Sequence, residues 1–387
     1  MRSVTIFGAT GSIGVNTVDL IARDLDSYNV VALTGGRNVA LLAEQAKALN
    51  AELAVTAYDD CHAALKEALS GTGIAVAAGP QAIKEAATRP ADWTMSAIVG
   101  AAGLVPGMEA LKQGNTLALA NKESLVTAGP LLLSEAQKHG ATILPVDSEH
   151  SAIFQALVGE DIAAVERIIV TASGGALRDW PADALHKATL KDACTHPNWD
   201  MGQRITIDSA TLFNKAMELI ETREFFGVRP DQIEAVVHPE SLIHALVGFT
   251  DGALMAHLGA PDMRHAIGYA LHWPDRGHVP VDRLDLAQIA QLNFRAADPV
   301  RFPALRLAYE VMEARGLSGA VFNAAKEIAL DKFIAGEIGF MQMADLVEAT
   351  LSTLSGEIVT SGPLTLDGVL AADHLARKTA TTLNVAR

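Results

Sequence analysis

Residues 1–22 constrain the fold more than any other stretch. Val4-Thr5-Ile6-Phe7 is an unbroken apolar run, Gly8-Ala9-Thr10-Gly11-Ser12-Ile13-Gly14 follows, and Val15 to Ile21 repeats apolar residues at helical spacing. A buried strand, a glycine-rich turn and a helix is the opening of a dinucleotide-binding βαβ unit. The glycines permit a tight turn and let a pyrophosphate approach the helix N-terminus. The spacing is GxxGxxG, so the turn also suits a glycine-rich loop that holds no nucleotide; its context between strand and helix favours the nucleotide. The next apolar run, Asn29 to Thr34, ends in Gly35-Gly36-Arg37-Asn38. An NAD site usually closes this strand with an acid for the ribose 2′-hydroxyl. Here a base stands instead, and Arg37 can pair with a 2′-phosphate. The expected cofactor is NADP(H).

Short apolar runs continue to about residue 148. They include Leu53-Ala54-Val55, Ile74 to Ala77, Met95 to Val99 and Thr116 to Ala120, with helical stretches between them. This alternation predicts an α/β chain whose residues 1–148 form a Rossmann-like, doubly wound parallel sheet. Ligands in such sheets sit beyond the carboxyl ends of strands, so Asn121, Lys122 and Glu123, which follow one strand, should face the cofactor. Residues 149–290 read as a central α+β domain with a mixed or antiparallel sheet, from runs at 167–171, 235–237, 245–249 and 253–256. Residues 291–387 read as a linker and a C-terminal helical bundle, with helices expected over 304–315, 320–336, 341–354 and 364–387.

The 387 residues carry a net charge of −15, which argues against nucleic acid or an anionic membrane as a partner. Two cysteines, Cys61 and Cys194, are too few for a disulfide framework and fit a reducing cytoplasm. The chain enters a strand by residue 4, which leaves no room for a targeting peptide, and no run suits a transmembrane helix.

Two polar segments suggest chemistry. Val146-Asp147-Ser148-Glu149-His150 follows an apolar run, and as an extended chain it would point Asp147 and Glu149 to one side. Ser209 to Glu218 reads as a helix start with Asp208 or Ser209 as N-cap, so that Ser209 joins the free backbone N–H groups that favour anions. Asn214 and Glu218 share a helix face there, with Lys215 beside them. Carboxylates suit Mg²⁺ or Mn²⁺; lysine, asparagine and serine suit a phosphate. Each segment alone also fits a solvated acidic turn or an ordinary amphipathic helix. Ser173-Gly174-Gly175 can offer N–H groups and a hydroxyl to phosphate, or be a plain turn. His196 to Gly202 brackets Trp199 between Pro197 and Gly202. That indole either closes over a substrate or anchors a surface loop.

Taken together, these motifs resemble the 1-deoxy-D-xylulose 5-phosphate reductoisomerase family over essentially the whole chain. The matching pieces are Gly8 to Gly14, Gly36-Arg37-Asn38, Ala120 to Leu125, Val146 to His150, Thr171 to Gly175, His196 to Trp199 and Ser209 to Glu218. The family often has Ser at Ala9, Lys at Arg37 and another residue at Asp200; Arg37 keeps the charge, and Asp200 sets an acid near the expected anion site. The resemblance implies a homodimer that isomerises and reduces 1-deoxy-D-xylulose 5-phosphate to 2-C-methyl-D-erythritol 4-phosphate, an early step of non-mevalonate isoprenoid synthesis. It implies NADPH and a divalent metal, Mg²⁺ or Mn²⁺ with Co²⁺ a further candidate. Asp147, Glu149 and Glu218 would ligate the metal. Lys122, Ser148, Glu149, Ser173, His196, Trp199, Ser209, Asn214, Lys215 and Glu218 would meet substrate, with Lys122 between substrate and cofactor. The catalytic set would be Lys122, Asp147, Glu149, His196 and Glu218. Thr10, Gly11, Ser12, Ile13, Gly36, Arg37, Asn38, Asn121, Glu123 and Gly202 would bind NADPH. A plain NADP-dependent dehydrogenase, with carboxylates that only bind hydroxyls, and a silent NADPH-binding regulator are the competing readings.

Overall fold

A computed structural model describes residues 1–196, 202–358 and 364–385. The chain divides into two compact units: Met1–Ser124 with Leu132–Ser151 and Asp262–Asp282, and Leu125–Leu131 with Ala152–Pro261 and Arg283–Arg387.

The first unit is built on seven strands: β1 (Arg2–Phe7), β2 (Tyr28–Gly35), β3 (Leu53–Thr56), β4 (Ala75–Ala78), β5 (Trp93–Ser96), β6 (Thr116–Leu119) and β7 (Thr142–Pro145). Their order is β4-β3-β2-β1-β5-β6-β7, and every pairing is parallel. β1, β2, β3 and β5 are almost wholly buried, as apolar runs covered on both faces should be. β5 begins two residues before the expected run because Trp93 is fully buried and its indole N–H finds the Ala270 carbonyl at 3.0 Å. That carbonyl belongs to helix Arg264–His272, so the 262–282 stretch, read from sequence as central-domain chain, clusters with the nucleotide-type sheet.

The second unit has a five-stranded sheet: β8 (Val165–Ala172), β9 (Ile233–Val237), β10 (Ile243–Phe249), β11 (Leu254–Leu258) and β12 (Arg295–Ala296), in the order β11-β10-β8-β9-β12. Only β8 and β9 run parallel, so the sheet is mixed as expected. The two-residue β12 has no apolar pattern and was not legible. Helices Ala304–Ala314, Ser318–Ile334, Gln342–Ile358 and Leu366–Thr382 follow. All four, the last through Ala380, share one apolar core with the sheet and with helix Phe213–Phe226, which is why the second unit is one body. Among the described residues no helix is long and apolar enough to cross a membrane.

Candidate active site

The strand order of the first unit reverses direction between β1 and β5, and a crevice beyond the strand ends at such a point is where doubly wound sheets bind ligands. Helix Ser12–Ala22 starts there with Gly11 as N-cap, no capping side chain and no acid in its first turn. Its first backbone N–H groups therefore remain available to an anion. Gly14 is required by packing: a Cβ there would come within 2.2 Å of the Gly8 carbonyl oxygen. The turn is tied down by the Ala9 N–H to the Thr34 carbonyl (2.7 Å) and by the Gln45 amide to the Ala9 carbonyl (2.9 Å).

Beyond β2, the Arg37 guanidinium lies 4.0 Å over the Tyr58 ring and pairs with Asp60 at 2.8 Å. The hydrogen bond from the Arg37 guanidinium holds the Asp60 carboxyl below its ordinary range. Asp60 is the feature the sequence reading missed, an acid twenty-three residues after Arg37 that faces it across the strand ends. Gly36 lends its carbonyl to the Thr56 hydroxyl at 3.0 Å. Asn38 caps helix Val39–Ala48 by accepting from the Leu41 N–H. Asn121 is buried and spends its amide inside the fold. Its nitrogen reaches the Ile98 carbonyl at 2.7 Å, the Gly100 carbonyl at 3.0 Å and Glu123 at 2.8 Å, and its oxygen caps the helix at the Ser124 N–H. It locks the chain after β5 to the helix that begins with Lys122.

That helix carries Lys122, whose ammonium lies 3.2 Å from Asp147 Oδ2. The other oxygen of Asp147 accepts from the backbone N–H groups of Glu149 (3.0 Å) and His150 (3.3 Å). Asp147 is thus the cap of helix Ser148–Ala156, which corrects the expected extended chain. The carboxylate satisfies N–H groups that would otherwise be orphaned, and so starts the helix immediately. Glu149 sits in its first turn with the Ser148 hydroxyl donated to it. The buried His150 ring nitrogen lies 3.3 Å from Asp147.

In the second unit, Ser173 Oγ is 2.9 Å from His196 Nε2 and accepts from the Gly175 N–H at 3.2 Å. Gly175 has φ +67°, and a Cβ there would strike the Ser209 carbonyl at 2.5 Å, so glycine allows the Ser173 turn to lie on the Ser209 backbone. Arg178 donates to the Ser173 carbonyl at 2.9 Å. Sequence reasoning passed over Arg178, which lies five residues after Ser173. Burial, with Arg178 nearby, pulls the His196 imidazole down to about 4, so it is neutral near pH 7.

Ser209 is not at a helix start. Helix Gln203–Ala210 contains it in its last turn, Leu212 turns left-handed at φ 58°, and helix Phe213–Phe226 begins afresh. Asp208 is likewise not a cap; it is drawn into a buried pair with Lys326 at 3.0 Å. The helix that starts in this segment is Phe213–Phe226, and it carries Asn214 and Lys215 in its first turn. Both donate to Glu218, which is 1% exposed. Gly202 precedes helix Gln203–Ala210 as its N-cap. Trp199 and residues 197–201 lie outside the described chain.

Residues 4–129 match the 1-deoxy-D-xylulose 5-phosphate reductoisomerase domain, 143–226 the C-terminal domain of that enzyme, and 258–379 a further DXP reductoisomerase C-terminal domain. The chain belongs to the 1-deoxy-D-xylulose 5-phosphate reductoisomerase family. Relatives of that name include one from Jannaschia sp. (strain CCS1), 69% identical over 98% of this chain and 97% of its own. Another, from Ruegeria pomeroyi, is 68% identical over 98% and 96%. The reductoisomerase of Zymomonas mobilis, solved in complex with NADPH, superposes with a TM-score of 0.92 at 47% identity, covering 98% of each chain. A DOX-P reductoisomerase in complex with NADPH, fosmidomycin and magnesium gives 0.92 at 38% identity, again over 98% of each.

Proposed function

We propose that this chain converts 1-deoxy-D-xylulose 5-phosphate to 2-C-methyl-D-erythritol 4-phosphate with NADPH and a divalent cation, Mg²⁺ or Mn²⁺ with Co²⁺ a third candidate. The donor set of Asp147, Glu149 and Glu218, two half-buried carboxylates and one buried, carries this reading. Three hard oxygen donors fit such a dication. Each of Asp147 and Glu218 faces a lysine here, Lys122 and Lys215, so the site is already arranged around positive charge. A bound cation supplies Lewis-acid polarisation of the substrate carbonyl and the neighbouring hydroxyl. NADPH, when bound, supplies the hydride that reduces the rearranged aldehyde.

The chain's own residues do the rest. Ser173, Ser209, Asn214 and Lys215 hold the phosphate, and that remote grip orients the carbon skeleton. Ser148 steadies Glu149 and meets a substrate hydroxyl. Neutral His196, held by Ser173, lies against the substrate without adding charge, and Trp199 covers it. Lys122 lies between substrate and the nicotinamide. Thr10, Gly11, Ser12 and Ile13 receive the pyrophosphate, Arg37 with Gly36 and Asn38 receives the 2′-phosphate, and Asn121, Glu123 and Gly202 complete the cofactor site.

The same reading takes the enzyme as a cytoplasmic homodimer with no nucleic-acid or membrane partner. The free thiols of Cys61 and Cys194 fit a reducing compartment. The outer strand β11 leaves Leu254, Met255 and Leu258 exposed at 49%, 39% and 38%. An apolar sheet edge of this kind calls for a covering partner, for which a second copy is the reading adopted. The test is NADPH consumption in the presence of 1-deoxy-D-xylulose 5-phosphate, with and without chelator. Turnover that vanishes on chelation and returns with added Mg²⁺ is expected; turnover indifferent to chelator would make the chain a plain dehydrogenase.

A further inference from the structure

Two helices of the second unit are joined by an ion-pair ladder. Helix Gln203–Ala210 carries Arg204 and Asp208 one turn apart; helix Ser318–Ile334 carries Lys326 and Asp331. Arg204 pairs with Asp331 at 2.5 Å on the surface, and Asp208 pairs with Lys326 at 3.0 Å in the interior. The inner rung is costly: Asp208 is 5% and Lys326 3% exposed, and the second oxygen of Asp208 is buried without a hydrogen bond. An apolar pair of the same volume would serve packing at least as well.

What the charges add is register. The pairing is antiparallel and its signs alternate along both helices. A slip of one turn in one direction would set Asp208 against Asp331; in the other it would set Arg204 against Lys326. Both slips oppose like charges, one of them near the interior, where such repulsion is least screened. Register decides where the next residue stands, and that residue is Ser209. One turn before Lys326, Phe322 packs on Phe213 with ring centroids 5.8 Å apart, on the far side of the left-handed break at Leu212. One face of helix Ser318–Ile334 therefore fixes both arms of the break: the arm with Ser209 and the arm with Asn214, Lys215 and Glu218.

We propose that Asp208 and Lys326 are positioning residues, a register key through which the C-terminal helices set the phosphate-holding side chains. The proposal rests on the reading that Ser209, Asn214 and Lys215 hold the substrate phosphate. The experiment compares Lys326→Met, the double variant Asp208→Asn/Lys326→Met and Ser209→Ala in the full-length enzyme. It reads KM for the sugar phosphate, KM for NADPH and the melting temperature. Lys326→Met should raise the sugar-phosphate KM at least tenfold while the NADPH KM stays within twofold. The double variant leaves no unpaired buried charge, so it should recover the melting temperature yet keep the raised KM; it also serves if Lys326→Met alone fails to fold. An unchanged KM in Lys326→Met, or a double variant that recovers both KM and melting temperature, would reduce the pair to charge balance and overturn the proposal. If Ser209→Ala leaves KM unchanged, the assignment of Ser209 to the phosphate fails by itself. A raised KM in Lys326→Met would then trace to the Asn214 arm.

Discussion

Glu218 is buried beside Lys215 and Asn214, so its neutralisation removes the charge that both groups donate to and, under the proposed function, one donor to the cation. Glu218→Gln should lower kcat by roughly a hundredfold, about 3 kcal/mol of lost transition-state stabilisation, while NADPH affinity stays nearly unchanged. Steady-state kinetics across a metal titration checks this; ordinary turnover at ordinary Mg²⁺ would remove Glu218 from the site. Arg37→Ala should narrow the preference for NADPH over NADH mainly through KM, by about ten- to a hundredfold, the loss of one charge-assisted pair. Equal kcat/KM for both cofactors in the unaltered enzyme would contradict the assignment. His196 has its pKa pulled down to about 4 in the fold. Below the ordinary imidazole value of about 6.5 the unfolded chain takes up a proton that the folded chain refuses. Folding stability should therefore fall as pH drops from about 6.5 towards 4, and His196→Gln should flatten that slope in denaturant titrations. Asp147, Lys122 and Glu218 were singled out by residue type alone, and the fold sets each carboxylate beside a lysine, Asp147 by Lys122 and Glu218 by Lys215. Asn121 was not legible in the same way, because its amide bonds to carbonyls of Ile98 and Gly100 that only the folded sheet brings near.

Elements were legible where periodicity is strong. The apolar runs became β1 to β11, and the C-terminal helices begin within about two residues of their expected starts. The misplaced element starts lie at the polar segments. Asp147 starts a helix where an extended chain was expected, since a carboxylate can cap whatever follows it, and Ser209 ends a helix where a start was expected. The sequence around Leu212 contains no glycine to announce a left-handed residue; tertiary packing of Phe213 on Phe322 holds it. The cap makes a separable prediction. Asp147→Asn keeps a capping oxygen and Asp147→Ala does not, so the alanine variant should be less stable than the asparagine variant by about 1 kcal/mol in metal-free melts. Both should lose metal-dependent turnover. Equal melts would show that the cap contributes nothing. Within residues 196–202, Trp199→Ala should lower kcat/KM without unfolding the protein, because an uncovered site admits water to a charged intermediate. A harmless Trp199→Ala, with protection of residues 196–202 from proteolysis the same with and without a substrate-like phosphonate, would reduce the indole to an anchor.

Across the whole molecule, the parallel seven-stranded sheet and the mixed five-stranded sheet do different work under the proposed function: the first would serve the nucleotide, and the unit built on the second carries Ser209, Asn214, Lys215 and the buried Glu218, which would serve the substrate. The expected three-part division of the sequence differs from the two compact units because the C-terminal helices bury their apolar faces against the central sheet and helix Phe213–Phe226. Hydrophobic spacing marks where a helix is apolar but not which sheet it covers. Family membership over the full length ties both units to one reaction. The central claim is that this reaction rearranges carbon before it reduces it. The methyl proton signal of the product reads this directly. 1-Deoxy-D-xylulose 5-phosphate is incubated with the enzyme, NADPH and Mg²⁺, and the product is examined by NMR. Rearrangement places the methyl group on a carbon that bears no hydrogen, so its signal should be a singlet. A doublet, from a methyl group beside a simple reduced ketone, would contradict the account.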